Sequence, residues 1–455
     1  MWRVFGLRTY LPYQALVVLV HLSTALLLWA LMRRAGVRPW MATAAAAPFV
    51  LFGPGAENIV WAFQIGFTGS IALGLLQLLL AMHDGPSDRR DWIGLAAGAL
   101  SLMCSGVGIA TAMVVGLAVC LVRGWRIAAF HTAPLAIMYV LWAVVEDPAT
   151  GVAGFGRPSL ETLGRWVASA QEGTFLALGR YQVVAVLLAL MLVGLVLTRR
   201  DGWRSPRVAV PVALLIGHVV FSAAVAHGRW PFGIESAQSS RYLYLGAAFT
   251  LPALAVAADA IAQRWRILAP VLLALLWVAM PANVRELQAG TVFNEGYFDK
   301  EERVLTTVVR MPFASAVPRD VRPIPDVFHS PELTIGFLLD AVRSGRLSPS
   351  AGSVRPREAN EMRIRLGVAQ RDPLSAPQEC QPQDSPSMIR PAEGTVYELG
   401  SPVVLSTVDQ DGRPTSQPVR FAPRDGRRLT IELPDLALRI GPAPGATSFE
   451  MCERR

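Results

Sequence analysis

Between residues 11 and 283 the chain is a series of apolar segments, and the arginines in the connecting loops fall on alternating sides. That pattern constrains the fold more than any other feature. Ten segments can be read: 11–32, 40–52, 58–82, two within 92–122, then 127–145, 182–198, 208–226, 242–262 and 267–282. A bilayer core of about 30 Å needs roughly 20 apolar residues per helix. The stretch 92–122 exceeds that and divides at Cys104-Ser105-Gly106 into two short helices that enter and return. The stretch 40–52 is short and carries Pro48. Arg33, Arg34 and Arg38; Arg89 and Arg90; Arg123 and Arg126; Arg199, Arg200, Arg204 and Arg207; and Arg264 and Arg266 then share one side. These five loops hold 13 Arg, against 8 elsewhere in residues 1–285. By the positive-inside rule that side is cytoplasmic. The assignment leaves Met1 outside, and a short N-terminus without a signal peptide rarely crosses alone, so an upstream helix is expected.

A chain that is 53% hydrophobic, with mean hydropathy +0.39, fits a multi-pass membrane protein and not a soluble domain. Charge divides it in the same way. Residues 1–285 carry 21 Arg against 11 acidic residues, a net of +10, whereas residues 286–455 carry 21 basic against 23 acidic, a net of −2. The basicity is therefore a topology signal, and no nucleic-acid partner is expected. All but one of the 42 basic residues are Arg, which points to a GC-rich, bacterial genome. Trp2, Trp40, Trp61, Trp92, Trp125, Trp203, Trp230 and Trp265 lie near segment ends, as an aromatic belt requires.

The expected architecture is an all-α polytopic membrane domain of about ten helices followed by a small extracytoplasmic α+β, β-rich domain. Its parts are the membrane domain at 1–285, a helical segment at 286–345, a Pro-rich mobile linker at 346–392 and a β-rich unit at 393–455. Pro158-Ser159-Leu160 starts a helix capped by Ser159, with Leu160, Leu163, Trp166 and Val167 on one face, suited to lying in the membrane interface. In the tail, Ser330 reads as an N-cap, Pro331 as the first helical residue and Gly345 as the stop. Strands are expected at 403–408, 419–422, 429–433 and 448–452, with turns at Asp411-Gly412 and Asp425-Gly426. Cys104 and Cys120 sit in apolar helices as small core residues. Cys380 and Cys452 lie in the tail, where an oxidising compartment permits but does not oblige a disulfide; the pair is the expectation.

Chemistry is sought on the outer face. Glu57 and Asn58 follow the Gly53-Pro54-Gly55 turn, with Trp61 and Gln64 continuing on the same helical face. Glu57 reads either as a first-turn acid complementing the helix dipole or as a cavity-lining residue. A second cluster runs from Arg229-Trp230-Pro231 through Glu235 to Ser239-Ser240-Arg241-Tyr242-Leu243-Tyr244-Leu245. An Arg there either holds a lipid-linked phosphate by paired hydrogen bonds or anchors at the interface beside the Tyr ring. His21 and His218 sit mid-span, where a neutral ring bonded to a neighbouring helix outweighs a ligand role. The six His form no metal pattern, and no nucleophile elbow or phosphate loop is present, so no metal or cofactor is expected and no catalytic residue is named.

Tyr13-Gln14-Ala15-Leu16 through His21-Leu22, Ala25-Leu26-Leu27-Leu28-Trp29 and Met32-Arg33-Arg34-Ala35-Gly36 resemble the early helices of GT-C type glycosyltransferases, which include bacterial relatives of the protein mannosyltransferases. Glu57, Asn58 and Trp61 match the Glu-opened helix that follows there. Ser240-Arg241-Tyr242-Leu243-Tyr244-Leu245 is similar to the Arg-Tyr-Leu-Tyr-Leu run opening a late helix. The resemblance covers roughly residues 5–285. It implies transfer of a sugar from a polyprenyl-phosphate donor on the outer face, with Glu57, Asn58, Trp61, Gln64, Glu235, Arg241 and Tyr242 as substrate-binding candidates. The family's catalytic acid lies in the first outer loop, and no residue here corresponds to it. A divalent metal at that acid is the family's alternative, with nothing in this chain to support it. Two other classes stay open: a non-catalytic envelope protein presenting an outer domain, and a transporter of lipid-linked cargo. The transporter ranks last, because no internal repeat is visible.

Overall fold

The structure is a computed structural model and describes residues 2–6, 9–146, 157–198, 202–324, 333–349, 354–371, 380–392, 395–423, 428–431 and 436–454. The chain divides into two units, Leu11–Asn294 and Met1–Tyr10 with Glu295–Arg455. Helix α1 (Trp2–Phe5) belongs to the second. The first is helical throughout: α2 (Leu11–Arg34), α3 (Pro39–Val50), α4 (Ala56–Val60), α5 (Ile65–Ala81), α6 (Arg89–Cys104), α7 (Val107–Arg123), α8 (Trp125–Glu146), α9 (Leu160–Gly179), α10 (Gln182–Thr198), α11 (Pro206–Arg229), α12 (Ser240–Arg264), α13 (Ala269–Trp277) and the start of α14 (Met280–Val308). Local chemistry sets several starts. Asp88 and Asp91 form a capping box on α6, Ser159 accepts from the Thr162 N–H at α9, and Ser205 caps α11 with Pro206 first in the helix. The break between α6 and α7 falls at Ser105-Gly106, inside the expected division.

Among the described residues, six helices are long and apolar enough to cross a membrane, or seven if the pair α9–α10, bent by 105°, forms one span. The expectation of about ten is corrected accordingly. Helix α3 has 12 residues, α6 has 16 and α7 has 17, and none is among the six, whereas α13 lies within the candidate span Arg266–Val292, where a segment was expected. Helix α12 forms the centre: every residue from Tyr244 to Asp259 is buried, with α2, α3, α9, α10 and α11 packed around it. Its small residues permit this. A methyl group at Gly246 would lie 2.3 Å from Thr174 Oγ1 and 2.8 Å from His218 Nε2. Helix α9 departs from the interface reading. Trp166 is buried against Ala170, Ala226 and Ala237, while Leu160 is exposed.

In the second unit, the end of α14 packs with α15 (Ile335–Arg343) and α16 (Pro356–Gly367) around Val308, Met311, Ile335, Met362 and Leu366. Thr334 caps α15, accepting from the Phe337 N–H, and Gly345 follows its end at φ 66°. The expected start at Ser330 and Pro331 lies outside the described residues. Among the described residues nine strands follow: β1 (Val368–Arg371), β2 (Cys380–Gln383), β3 (Ser387–Ile389), β4 (Val396–Leu399), β5 (Val403–Thr407), β6 (Val419–Phe421), β7 (Arg428–Ile431), β8 (Leu438–Pro442) and β9 (Phe449–Arg454). They form two antiparallel sheets, ordered β1-β7-β4-β9-β2 and β3-β8-β5-β6. Leu399, Leu429 and Phe449 of the first share one core with Leu405, Phe421 and Ile440 of the second, so the sheets make a sandwich. The mobile linker expected over 346–392 is corrected: α16 and β1–β3 lie within it, anchored by buried Ile364 and Val368. Asp409 Oδ1 accepts from the N–H of Asp411 and Arg413, forming the turn expected at Asp411-Gly412. The turn expected at Asp425-Gly426 lies outside the described residues. Cys380 and Cys452 face each other across β2 and β9 and are joined by a disulfide.

Candidate functional site

The arginine loops gather at one end of the bundle. Arg34 donates to the Met82 carbonyl and pairs with Asp84 at 2.8 Å. Fully buried Asp259 receives Arg38 Nε at 2.7 Å, Arg207 Nη2 at 2.8 Å and Gln263 Nε2 at 2.6 Å. Fully buried Asp91 receives Arg123 Nη1 at 2.6 Å, His83 Nε2 and His131 Nε2 each at 2.9 Å, and the Asp88 N–H at 3.1 Å. Burial alone would push the Asp91 carboxyl up. The donors from Arg123, His131, His83 and the Asp88 backbone outweigh it and hold the group well below the ordinary carboxylate range.

The opposite end holds the groups with access to a ligand. The Gly53-Pro54-Gly55 turn is wedged between the starts of α12 and α14. A methyl at Gly53 would lie 2.1 Å from the Asn283 carbonyl, and one at Gly55 would lie 2.8 Å from the Tyr244 ring. Only glycine permits this approach. The turn delivers α4 onto α12. The Glu57 N–H donates to Ser240 Oγ at 3.1 Å, and Asn58 Nδ2 donates to the Arg241 carbonyl at 3.2 Å. Arg241 Nε lies 3.2 Å from Glu57 Oε2, an ion pair with both side chains about one-third exposed. Two expected candidates 183 positions apart in the chain, Asn58 and Arg241, are thus joined, with Glu57 between them. Asn58 Oδ1 and Gln14 Oε1 are buried without a partner; the same Gln14 donates from Nε2 to the Ile59 carbonyl.

The other candidates lie elsewhere. The shared helical face of Glu57, Asn58, Trp61 and Gln64 is corrected: α4 ends at Val60, Trp61 is extended, and Gln64 belongs to a separate short turn before α5. Trp61 packs on Phe63, and Gln64 is buried with Nε2 unpartnered. Glu235 is exposed in the turn before α12. The Tyr242 ring meets Phe221 edge-on and lines a crevice with Trp166, His218 and Ser222 that does not admit a water molecule. Arg229 stacks over Phe232 at 5.5 Å. His21 has the structural role expected of it. Its Nε2 meets the Val50 carbonyl at 3.0 Å and its Nδ1 meets the Tyr244 hydroxyl at 2.9 Å, which assigns the proton to Nε2.

One residue at this end carried no sequence signal. Arg180 ends α9 at φ 61°, a left-handed conformation costly for a residue with a side chain. Its guanidinium donates to Asn283 Oδ1 at 2.7 Å and pairs with Glu286 on α14. At the opposite end, Asp259 inside the apolar segment 242–262 is a signal the sequence carries, whereas Asp91 stands among the charged residues before Trp92.

Compared with known proteins, the chain matches no family model, no curated protein and no solved structure.

Proposed function

We propose that this chain is an integral protein of the bacterial cell membrane and a GT-C-like glycosyltransferase that takes a sugar from a polyprenyl-phosphate donor at the Glu57–Arg241 end of its bundle. In this reading the arginine-rich end is cytoplasmic and the β-sandwich unit is extracytoplasmic. The observation that supports it is the 3.2 Å pair between Glu57 and Arg241, which joins two of the segments carrying the resemblance. An ion pair about one-third exposed is worth little, so an arriving phosphate exchanges with Glu57 for the guanidinium at small cost. The released Glu57 carboxylate, about one-third exposed, then accepts hydrogen bonds from hydroxyls of the sugar or acceptor, while fully buried Asn58 holds α4 on α12. Glu57 is assigned to binding. The acid that would deprotonate the acceptor has no counterpart among these residues.

The test is binding of a polyprenyl phosphate, with and without a hexose, to the full chain in nanodiscs. Arg241→Ala should weaken binding by about 10- to 150-fold, the worth of a charge-assisted hydrogen bond. Arg241→Lys should recover part of it, because paired geometry is lost. Equal affinity for wild type and Arg241→Ala overturns the proposal. A second reading, a non-catalytic protein presenting its disulfide-closed sandwich, is favoured by the pairing of both Arg180 and Arg241 within the chain. Absence of any lipid-phosphate binding would select it.

A further inference from the structure

The disulfide of the β-sandwich has a neighbour that a purely structural bridge does not need. Arg428, at the start of β7, extends its guanidinium across the sheet to both sulfurs. Its Nη1 lies 3.0 Å from Cys452 Sγ and 3.5 Å from Cys380 Sγ. The two sulfurs differ in access. Cys452 is 2% exposed on an inner strand, whereas Cys380 is half-buried on β2, an edge strand bonded only to β9. The reachable sulfur is therefore Cys380, and the sulfur better served by the cation is Cys452.

We propose that Cys380–Cys452 is a thiol–disulfide exchange site, reduced by a dithiol protein, in which Arg428 holds the departing Cys452 thiolate. A thiolate of the partner attacks Cys380 Sγ in line with the S–S bond. That bond breaks, its electron pair leaves on Cys452 Sγ, and a mixed disulfide forms at Cys380. The partner's second thiol, as thiolate, attacks its own sulfur in the mixed disulfide and expels Cys380. The partner ends as a disulfide; one of its two thiol protons ends on Cys380 and the other passes to solvent, leaving Cys452 as the thiolate beside Arg428. Leaving-group stability governs which sulfur departs and how fast, and a cation beside the sulfur stabilises the thiolate. Two carboxylates oppose it. Glu450 Oε2 lies 3.8 Å from Arg428 Nη2, and Glu398 stands in register across from Cys452 on β4.

The sign of the mutant effects separates this role from packing. The full chain is equilibrated with dithiothreitol at graded ratios of its reduced and oxidised forms. The dithiol fraction is read by alkylation and mass spectrometry of the Cys380 and Cys452 peptides, which sets the free Cys104 and Cys120 aside. Arg428→Gln should slow reduction about tenfold and shift the exchange equilibrium about tenfold towards the disulfide, roughly 30 mV. Arg428→Lys should fall between. Glu450→Gln should move both quantities the other way, and it keeps the proposal testable if Arg428→Gln does not fold. A bridge that is only structural, loosened by loss of a packing Arg, would be reduced faster in Arg428→Gln. That result overturns the proposal, as does slower reduction in Glu450→Gln or a wild-type bridge that stays oxidised until the protein unfolds.

Discussion

Replacing Asp91 with Ala should cost the helical unit about 3–5 kcal/mol, the range for breaking a buried ion pair by removing one partner. The geometry explains the size. Asp91 is fully buried, the Arg123 side chain is 7% exposed, and four donor groups converge on the one carboxylate. Without it, Arg123 keeps, among the described residues, the carbonyls of Ala81 and Gly85, and the buried His131 N–H loses its acceptor, while His83 is left with Asp88 Oδ1 at 3.5 Å. Asp84, by contrast, pairs with Arg34 at 2.8 Å but is 87% exposed, so Asp84→Ala should cost about 0–1 kcal/mol. Read as apparent melting temperature in detergent, Asp91→Ala should lose on the order of 6–20 °C and Asp84→Ala at most a few degrees. Adding Arg123→Ala to Asp91→Ala should restore part of the loss, because the uncompensated charge is then gone. Equal shifts for the two acids, or strict additivity with Arg123→Ala, would refute the reasoning.

The same carboxylate fixes a pH dependence. Asp91 lies in the first turn of α6, outside the candidate spans, and its carboxyl is depressed in the folded state. A depressed acid contributes stability that is fully present above its unfolded pKa of about 3.9 and is lost as pH falls towards the folded value. Wild-type melting temperature should therefore drop below about pH 4 more steeply than that of Asp91→Asn, which has no such group to titrate.

Glu57→Gln should raise affinity for a bare polyprenyl phosphate, since it frees Arg241 from its competitor; a lower affinity in direct binding would contradict the exchange model. Gly53→Ala should destabilise by about 1–3 kcal/mol, because the new methyl meets the Asn283 carbonyl, while Gly228→Ala in α11, with open space around it, should be neutral or better in the same melting assay. Reporter fusions at Gly85 and Gly202 should read cytoplasmic and one after Gly290 external; a cytoplasmic signal from the last would end the proposed topology.

Helix boundaries were legible where residue type decides the backbone. Ser105-Gly106 divides α6 from α7, Ser159 starts α9, and alternation marks β6 and β8, where Arg439 points out between buried Leu438 and Ile440. Boundaries set by distant partners were not. The helix opened by Glu57 stops at Val60 with no Pro or Gly there; Gln14 on α2 takes the Ile59 carbonyl, and Asn58 turns to the Arg241 carbonyl. Strands β1 to β3 are three or four residues long, too short to show a period inside a Pro- and Gln-rich stretch, and only their pairing with β7, β9 and β8 defines them. Asp259 is visible as an acid in apolar company, whereas Asp91 is one charge among several before Trp92. Their partners lie up to 221 positions away, and no local pattern names them.

The two ends of the bundle differ in what their charges are free to do. At the arginine-rich end each buried carboxylate serves several donors, and separating any of them costs several kcal/mol. Trp40, Trp92, Trp125, Trp203 and Trp265 are exposed in the same loops or helix starts, with Arg38, Arg126 and Arg264 placed over three of the rings. Such an array suits a fixed anchor at a lipid headgroup layer, where aromatic rings and cations are both at home. At the other end Glu57, Arg241, Arg180 and Glu286 are 24–43% exposed, and buried amide oxygens on Asn58 and Gln14 stand unpartnered beside the turn. Binding requires groups that can change partners without unravelling their helices. Half-exposed pairs meet that condition at about 0–1 kcal/mol each, and buried ones do not. That difference in exchange cost, more than any single residue, is why ligand chemistry is assigned to the Glu57 end and structural anchoring to the Asp91 and Asp259 end.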